Sequence, residues 1–300
     1  MSILSLNHIT KTYEHYKALE DITFSVPAQS IFGMLGPNGA GKTTTIRIIT
    51  NILAADSGEV IFDNKALSRD HIISMGYMPE ERGMYKKMKV YEQLVYLAKL
   101  KGLSGADARK RVSYWLEKLD IKTWWNKRID ELSKGMQQKI QFIATVVHEP
   151  KLIILDEPFS GLDPVNSELI KNEIEELRKN GATIIFSTHR MEQVEEICEE
   201  IVLVNKGRIV LNGKVKDVKN RFKKNVFSIR YTGAAPSLNE ADFSPEHKNG
   251  EETFIKLNNG KTPNDLLRTL LEQNVTIKGF NEVLPSLNEI FIQQVKTNHE

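Results

Sequence analysis

A glycine-rich segment of the chain ends in a lysine and two threonines: Gly36-Pro37-Asn38-Gly39-Ala40-Gly41-Lys42-Thr43-Thr44. It follows an apolar run and precedes a helix-like run. Glycines in this position let backbone N–H groups turn inward around phosphate oxygens, at the positive end of the next helix. The pattern therefore predicts a site for a nucleoside triphosphate such as ATP, with Lys42 on the β- and γ-phosphates and the Thr43 hydroxyl on Mg²⁺.

Two carboxylates follow another apolar run further along the chain. Asp156 and Glu157 come directly after residues 152–155, so we expect them at the carboxyl edge of a sheet. Asp156 is suited to a water-mediated contact with Mg²⁺, and Glu157 is suited to act as the general base that polarises an attacking water. His189 follows the run at residues 183–186 and is predicted at the same edge, where it would bond the γ-phosphate or orient the water. A purely structural role is the alternative for a lone histidine.

The elements that must position these residues can be predicted from apolar patterns. Strands are predicted at five apolar runs: residues 31–35, 60–62, 152–155, 183–186 and 201–204. Because helix-like segments alternate with them, we predict an α/β fold with a largely parallel sheet. Between about residues 90 and 150 the strand pattern stops, and a helical lobe is predicted from three segments: residues 91–101, 107–119 and 136–148.

The character of the sequence changes after Gly213, which predicts a second, small α+β domain at residues 216–300. Its strands and helices are expected at residues 226–231, 253–257, 265–272, 275–280 and 287–295. Residues 236–250 are interpreted as a turn-rich connection. The basic run at residues 214–224 is interpreted as a solvated linker face, with a lipid-binding patch as the alternative.

Composition limits the classes of protein that this chain can belong to. Of its residues, 40% are hydrophobic and 27% charged, and its formal net charge of +2 gives no reason to expect a nucleic-acid partner. The single cysteine, Cys198, cannot form an internal disulfide and is predicted to be a buried structural thiol. No stretch approaches the roughly 18 to 20 apolar residues that span a bilayer. We therefore expect a chain that neither crosses a membrane nor leaves the cell.

Four further motifs occur in an order typical of one family. Leu132-Ser133-Lys134-Gly135-Met136-Gln137 resembles its signature motif, and Ser160-Gly161-Leu162-Asp163 resembles its D-loop. Glu80 lies where the family has its Q-loop, and Tyr13 lies where the family stacks an aromatic ring on adenine. With the glycine-rich P-loop, these motifs make residues 1–215 similar to the ATP-binding subunits of ATP-binding cassette (ABC) transporters. The resemblance implies a P-loop NTPase cassette that hydrolyses ATP.

The family resemblance also implies a head-to-tail dimer with a second copy of the chain or a paralogue. Each ATP would then lie between one P-loop and the signature motif of the other subunit, where Ser133 and the Gly135 backbone would complete the γ-phosphate shell. Asp163 of the D-loop is expected among the nucleotide-binding residues. Tyr13 would stack on the adenine, with Tyr16 as the alternative, and such stacking accepts any base.

Three positions depart from the commonest family pattern. Lys134 replaces a glycine and Met136 a glutamine in the signature, and Glu80 replaces the Q-loop glutamine. A glutamate at position 80 can still bind Mg²⁺ but cannot donate an amide hydrogen bond, and only glycine would tolerate a positive φ at position 134. Hydrolysis is still expected, since the P-loop lysine and the aspartate-glutamate pair are intact.

A branch of bacterial exporters, which includes sodium-efflux and antibiotic-resistance pumps, has similar variants. Its members also have a terminal domain that ends in a segment similar to Leu284-Pro285-Ser286-Leu287-Asn288-Glu289-Ile290-Phe291. The branch implies a separate multi-spanning membrane permease subunit, met at a groove within residues 80–130, and a peripheral location on the cytoplasmic face of the membrane. An ABC importer subunit, or a soluble ABC ATPase acting on ribosomes or DNA, is the alternative. The second domain is expected to be accessory, stabilising the dimer or regulating it.

Overall fold

The computed structural model describes residues 1–81, 83–233, 235–249 and 251–297. The chain divides into two compact units, Met1–Val215 and Lys216–Glu300. The first unit combines helices with parallel and antiparallel sheets, and the second combines helices with an antiparallel sheet. The predicted fold class, an α/β cassette followed by a small α+β domain, is confirmed.

The first unit contains the following elements in chain order: β1 (Ser2–Tyr13), β2 (Tyr16–Pro27), β3 (Ile31–Leu35), α1 (Lys42–Ile49), β4 (Ser57–Phe62), β5 (Lys65–Ala66), β6 (Met75–Met78), α2 (Val90–Leu100), α3 (Gly105–Lys118), α4 (Lys134–Val146), β7 (Leu152–Asp156), α5 (Pro164–Lys179), β8 (Thr183–Thr188), α6 (Met191–Ile197), β9 (Glu200–Asn205) and β10 (Arg208–Lys214).

A six-stranded sheet with the order β10-β9-β3-β8-β7-β6 carries the predicted site. All neighbouring strands in it are parallel except β9 and β10. Every residue of β3, β7 and β8 is buried, because strands covered on both faces are continuous apolar runs. Since these three strands run in the same direction, the segments that follow them meet at one edge of the sheet.

A second sheet, with the order β2-β1-β4-β5, is antiparallel. Residues 60–62 form a strand as predicted, and they belong to β4 of this antiparallel sheet rather than to the largely parallel one. The first half of β4 is exposed, and a strand with one solvated face suits an antiparallel sheet. Phe24 of β2 stacks on Phe32 of β3, with ring centroids 5.6 Å apart, so the two sheets share one core. Tyr13 and Tyr16 face each other at the turn between β1 and β2.

Helices α2, α3 and α4 form the helical lobe. Two of them begin at a serine that accepts a hydrogen bond from a backbone N–H: Ser104 at α3 and Ser133 at α4. Trp115 is buried and meets Phe142 edge-on, with ring centroids 6.0 Å apart, so this tryptophan packs in the core of the lobe. Cys198 directly follows α6 and is buried as predicted, and burial raises the pKa of its thiol.

The second unit contains, in chain order, α7 (Val215–Arg221), β11 (Val226–Thr232), β12 (Phe243–Asn249), β13 (Glu252–Leu257), α8 (Pro263–Glu272), β14 (Thr276–Val283) and α9 (Leu287–Thr297). Its antiparallel sheet has the order β12-β13-β11-β14. The predicted turn-rich connection at residues 236–250 contains β12, so that prediction was wrong in part. The basic run at residues 214–224 contains α7, and most of its basic side chains are exposed. β12 is an edge strand whose residues after Phe243 are polar and mostly exposed, so it lacks the apolar alternation that predicts a strand.

Candidate nucleotide-binding site

The P-loop connects β3 to α1, and its backbone geometry requires glycine. Gly36 and Gly41 have φ of 150° and 110°. A Cβ atom at Gly36 would lie 2.2 Å from the Val204 carbonyl oxygen, and one at Gly41 would lie 2.7 Å from the Leu19 side chain. Both conformation and space therefore exclude a larger residue at these two positions. The loop runs directly into α1, so it contains the N–H groups that a helix start leaves without intrahelical partners.

Lys42 begins α1, and its ammonium group folds back onto the loop. Nζ donates hydrogen bonds to the carbonyl oxygens of Gly36 and Pro37, at 2.7 and 3.1 Å. Burial lowers the pKa of Lys42, while nearby carboxylates act in the opposite direction by favouring the cation. The P-loop lysine is thus held close to the glycine backbone and faces acidic side chains.

Three carboxylates lie in the same cavity as Lys42: those of Glu80, Asp156 and Glu157. Asp156 is the last residue of β7 and is buried. Burial raises the pKa of Asp156, and the negative charges of Glu80 and Glu157 raise it further, against the attraction of Lys42. A cluster with more negative than positive charge favours a cation among these residues, and carboxylate and hydroxyl oxygens are the ligands that Mg²⁺ prefers.

Glu157 is held in place by hydrogen bonds from the end of the neighbouring strand β8. Thr188 Oγ1 donates to Glu157 Oε2 at 3.0 Å, and the backbone N–H of His189 donates to Oε1 at 2.9 Å. The ring Nδ1 of His189 also lies 2.6 Å from Oε1. Because a carboxylate only accepts, Nδ1 carries the proton in this contact, which leaves Nε2 as the ring nitrogen for a substrate. Sequence reasoning predicted both Glu157 and His189 but neither their pairing nor the contribution of Thr188.

The parallel register explains how these residues meet. Asp156 of β7 is level with Ser187 of β8, so the residues that follow them, Glu157 and Thr188, emerge side by side. Glu157 also has a left-handed backbone, with φ of 52°. That conformation is unfavourable for a residue with a side chain and is kept only where the surroundings hold it. No pattern in the sequence signals it.

One cavity of about 520 Å³ gathers most of the predicted residues: Tyr13, Asn38, Gly39, Ala40, Gly41, Lys42, Thr43, Thr44, Glu80, Asp156 and Glu157. Gly36 and Pro37 are bound to one of the lining residues, because their carbonyl oxygens accept from Lys42. His189 is likewise bound to Glu157. Tyr16 lines the cavity as well, and its hydroxyl donates to the Gly39 carbonyl oxygen at 3.3 Å. Both candidates for base stacking are therefore beside the P-loop.

The described lining of this cavity does not include Ser133, Gly135 or Asp163. Ser133 caps α4 by accepting from the Met136 N–H at 3.2 Å. A Cβ atom at Gly135 would lie 2.9 Å from the Gly161 carbonyl oxygen, so the signature helix packs closely on the D-loop. Asp163 caps α5 by accepting from the Asn166 N–H at 2.8 Å, and this hydrogen bond lowers the pKa of Asp163. The predicted residues thus form two separate groups within one chain.

Two of the departures from the family pattern, Lys134 and Glu80, can be located in the structure. Lys134 is the first residue of α4 and has a helical backbone, so the positive φ considered for this position does not occur in the structure. Glu80 lies just after β6 and is exposed in the cavity, where its negative charge raises the pKa of Asp156 and favours the Lys42 cation.

Comparison with families of known proteins covers both units. The ABC transporter family model matches residues 19–160, and the model for the C-terminal domain of DrrA1-3-like ATP-binding proteins matches residues 213–295. A third model, described as an AAA domain of a putative AbiEii toxin from a type IV toxin–antitoxin system, matches residues 128–193.

Individual relatives agree with these matches. YhaQ, an uncharacterized ABC transporter ATP-binding protein of Bacillus subtilis (strain 168), is 42% identical over 299 residues, 99% of this chain and 100% of its own length. The linearmycin resistance ATP-binding protein LnrL of the same strain is 32% identical over 222 residues, 73% of this chain and 71% of its own. A solved structure of an ATP-binding subunit of an ABC transporter has a TM-score of 0.69 at 29% identity, covering 74% of this chain and 93% of that one.

The chain therefore belongs to the ATP-binding subunits of ABC transporters, as the motifs predicted. Its activity is that of an ABC ATPase.

Proposed function

We propose that this chain hydrolyses ATP with Mg²⁺ in the P-loop cavity and powers export through a separate multi-spanning membrane permease subunit. The observation that supports the proposal best is the cavity, in which the P-loop and Lys42 face Asp156 and Glu157. The Thr43 hydroxyl, Asp156 and Glu80 would hold Mg²⁺, which supplies positive charge to the phosphate oxygens when bound.

Each residue of the cavity has a task in hydrolysis. The P-loop N–H groups and Lys42 would bind the β- and γ-phosphates, and Tyr13 would stack on the adenine. Glu157, fixed by Thr188 and His189, would accept a hydrogen bond from the water that attacks the γ-phosphorus, while the bond to the β-phosphate oxygen breaks. With Nδ1 of His189 donating to Glu157, Nε2 is left as an acceptor and would accept a hydrogen bond from the attacking water, which orients it.

The separation of the two groups of residues supports a head-to-tail dimer. Ser133 and Gly135 lie at the start of α4, where a helix N-terminus favours an anion, and they do not line the P-loop cavity of their own chain. We assign them to the ATP bound by a second subunit, which is a copy of this chain or a paralogue. ATP would then hold the two subunits together, and its hydrolysis would release them.

An apolar groove of about 360 Å³ is the surface that we assign to the permease. Ile73, Leu97, Leu100 and Ala144 line it, and it reaches Pro79, next to Glu80. An amphipathic cytoplasmic helix of the permease would fit such a groove, and its movement would reach the cavity through the Q-loop. Among the described helices, none is long and apolar enough to cross a membrane. In the proposed complex the chain lies at the cytoplasmic face of the membrane.

Export is favoured over import by the relatives. LnrL is a linearmycin resistance protein, and a transporter gives resistance to a toxic compound by removing it. The terminal unit matches DrrA1-3-like ATP-binding proteins. For this unit we propose dimer stabilisation or regulation. Deleting residues 216–300 tests that role, and unchanged ATP-dependent dimerisation together with unchanged turnover would contradict it.

The test of the transport function uses Glu157→Gln as bait, because a variant that binds ATP without hydrolysing it should hold the closed dimer. The bait is incubated with Mg-ATP and either detergent-solubilised membranes or cytosol of the source cells. A second bait adds Leu100→Arg in the groove, and its control adds Leu271→Arg, since the two leucines are exposed alike, at 62% and 63%. We expect a multi-spanning membrane protein that is lost with Leu100→Arg and kept with Leu271→Arg. Ribosomal or DNA-bound material without a membrane protein would overturn the transport function.

A further inference from the structure

Helix α4 carries two buried glutamines that reach the backbone on either side of the nucleotide cavity. Gln138 Nε2 donates to the carbonyl oxygens of Glu157 and Pro158, at 3.2 and 2.9 Å. Gln141 Nε2 donates to the Pro79 carbonyl oxygen at 2.6 Å. The two glutamines are three residues apart and therefore lie on neighbouring positions of one helix face. Each thus bonds a segment that delivers a carboxylate to the cavity, Glu157 in one case and Glu80 in the other.

The backbone at Glu157 depends on such support. Its φ of 52° is unfavourable for a residue with a side chain, so neighbouring groups must hold it. The Glu157 N–H donates to the Ser187 carbonyl oxygen at 2.9 Å, and the Glu157 carbonyl oxygen accepts from the Ser160 N–H at 3.1 Å. Gln138 adds the hydrogen bond that comes from outside the β7–β8 edge, from the helix that begins with the signature motif.

We propose that Gln138 and Gln141 are positioning residues, through which α4 determines where the Glu157 and Glu80 carboxylates lie in the cavity. The inference rests on the proposed function, in which Ser133 and Gly135 at the start of α4 contact the ATP of the second subunit. One helix then contacts the nucleotide of one site at its N-terminus and, within its first eight residues, holds the carboxylates of the other site. A shift of α4 on ATP binding in one site moves the attacking-water residue of the other.

A buried glutamine elsewhere in the helical lobe provides a control. Gln93 lies in the first turn of α2, and its Oε1 accepts from the Tyr85 N–H at 2.9 Å. Gln93 is fully buried like Gln138, and it is not part of the described lining of the cavity. Both glutamines therefore bond the backbone of a neighbouring segment, and of the two Gln138 is the one that bonds a cavity residue.

The test compares Gln138→Met, Gln141→Met and Gln93→Met in the purified full-length chain, since methionine keeps the length of the side chain and removes its amide. We expect Gln138→Met to lower kcat about tenfold to a hundredfold, because small displacements of a catalytic group have effects of that size. Its Kd for ATP should stay within about twofold, since the P-loop is untouched. Gln141→Met should raise the Mg²⁺ concentration for half-maximal hydrolysis about tenfold, as loss of a residue that supports a metal ligand does.

A double-variant cycle separates positioning from general stability. A residue that acts through Glu157 has no effect once Glu157 is gone, so Gln138→Met should leave the residual hydrolysis of Glu157→Gln unchanged. Gln93→Met should also lower Tm, since it too removes a buried hydrogen bond, while its kcat stays close to that of the natural chain. If Gln138→Met does not fold, Gln138→Asn, which is too short to reach both carbonyls, carries the same test.

The outcomes are distinguishable. If Gln138→Met or Gln138→Asn hydrolyses ATP like the natural chain while Glu157→Gln is inactive, the positioning proposal is overturned and the proposed function stands. An equal loss of kcat in Gln93→Met and Gln138→Met also overturns it, because the effect is then one of stability. Full hydrolysis by Glu157→Gln would overturn the proposed function and the positioning proposal with it.

Discussion

Replacing Gly135 by alanine tests whether close packing of the signature helix on the D-loop matters for activity. The added Cβ would lie 2.9 Å from the Gly161 carbonyl oxygen and 3.6 Å from a Leu162 methyl carbon. The first distance is shorter than van der Waals contact, and the neighbour is backbone rather than the end of a flexible side chain. Either the start of α4 or the D-loop must therefore move.

The size of the effect on stability can be bounded from two opposing contributions. Overpacking of this kind costs about 1 to 3 kcal/mol. Alanine in place of glycine in a helix contributes about 0.5 to 1 kcal/mol in the other direction, because it restricts the unfolded chain. The free energy of unfolding of Gly135→Ala should thus fall by about 0 to 2.5 kcal/mol. Turnover should fall about tenfold or more, since Ser133 and the D-loop are displaced together.

Gly105→Ala is the matched control, because Gly105 also lies in the first turn of a helix that begins at a serine. A Cβ there would meet its nearest neighbour, Arg109 Nη1, at 3.6 Å, which is ordinary contact. This variant should gain about 0.5 kcal/mol or more in unfolding free energy and keep its turnover. The measurements are urea unfolding and steady-state phosphate release. If Gly135→Ala is as stable and as active as Gly105→Ala, the contact with the D-loop is not what requires glycine at position 135.

Three further perturbations have defined outcomes. Lys42→Met should weaken ATP binding at least about a hundredfold in a fluorescent-nucleotide titration, because it removes the ammonium group assigned to the β- and γ-phosphates. Near-normal binding would contradict the role of Lys42 in phosphate binding. Tyr13→Ala should weaken the same binding about tenfold through lost stacking, and a larger loss in Tyr16→Ala would assign the stacking to Tyr16 instead. Burial lowers the pKa of His148 from 6.5 to about 4, so between these pH values the unfolded chain binds more protons and stability falls as the pH decreases. Between pH 7 and pH 4, the free energy of unfolding of His148→Leu should therefore fall by about 3 kcal/mol less than that of the natural chain. An equal fall in both proteins would contradict this reasoning.

The parts of the fold that could be predicted are those whose residues carry their own signal. β3, β7 and β8 are continuous apolar runs because both faces are buried, and the P-loop needs glycines that no other residue can replace. β12 could not be predicted in the same way. It is an edge strand with polar residues, and its pairing with β13 supplies hydrogen bonds that leave no apolar pattern.

The contacts that complete the site depend on which strands and helices become neighbours. His189 and Glu157 are separated by 32 residues and meet because β7 and β8 are adjacent and in register. Gln138 reaches Glu157 from a helix that precedes β7, and a glutamine in a helix has many possible partners. Such contacts are properties of topology, so a motif can identify the residues of a site without showing how they hold one another.

The capping roles of Ser133 and Asp163 decide which of them can touch a phosphate. The Ser133 oxygen accepts the Met136 N–H through a lone pair, and a hydroxyl keeps its own O–H to donate, so capping α4 and bonding a phosphate oxygen are compatible. Asp163 accepts from the Asn166 N–H, and the lowered pKa of Asp163 keeps it anionic. A carboxylate in that state repels a phosphate oxygen, because neither group has a proton to donate. Ser133 therefore suits direct contact with the γ-phosphate, whereas Asp163 suits the task of fixing the start of α5, so that the D-loop keeps its packing against Gly135.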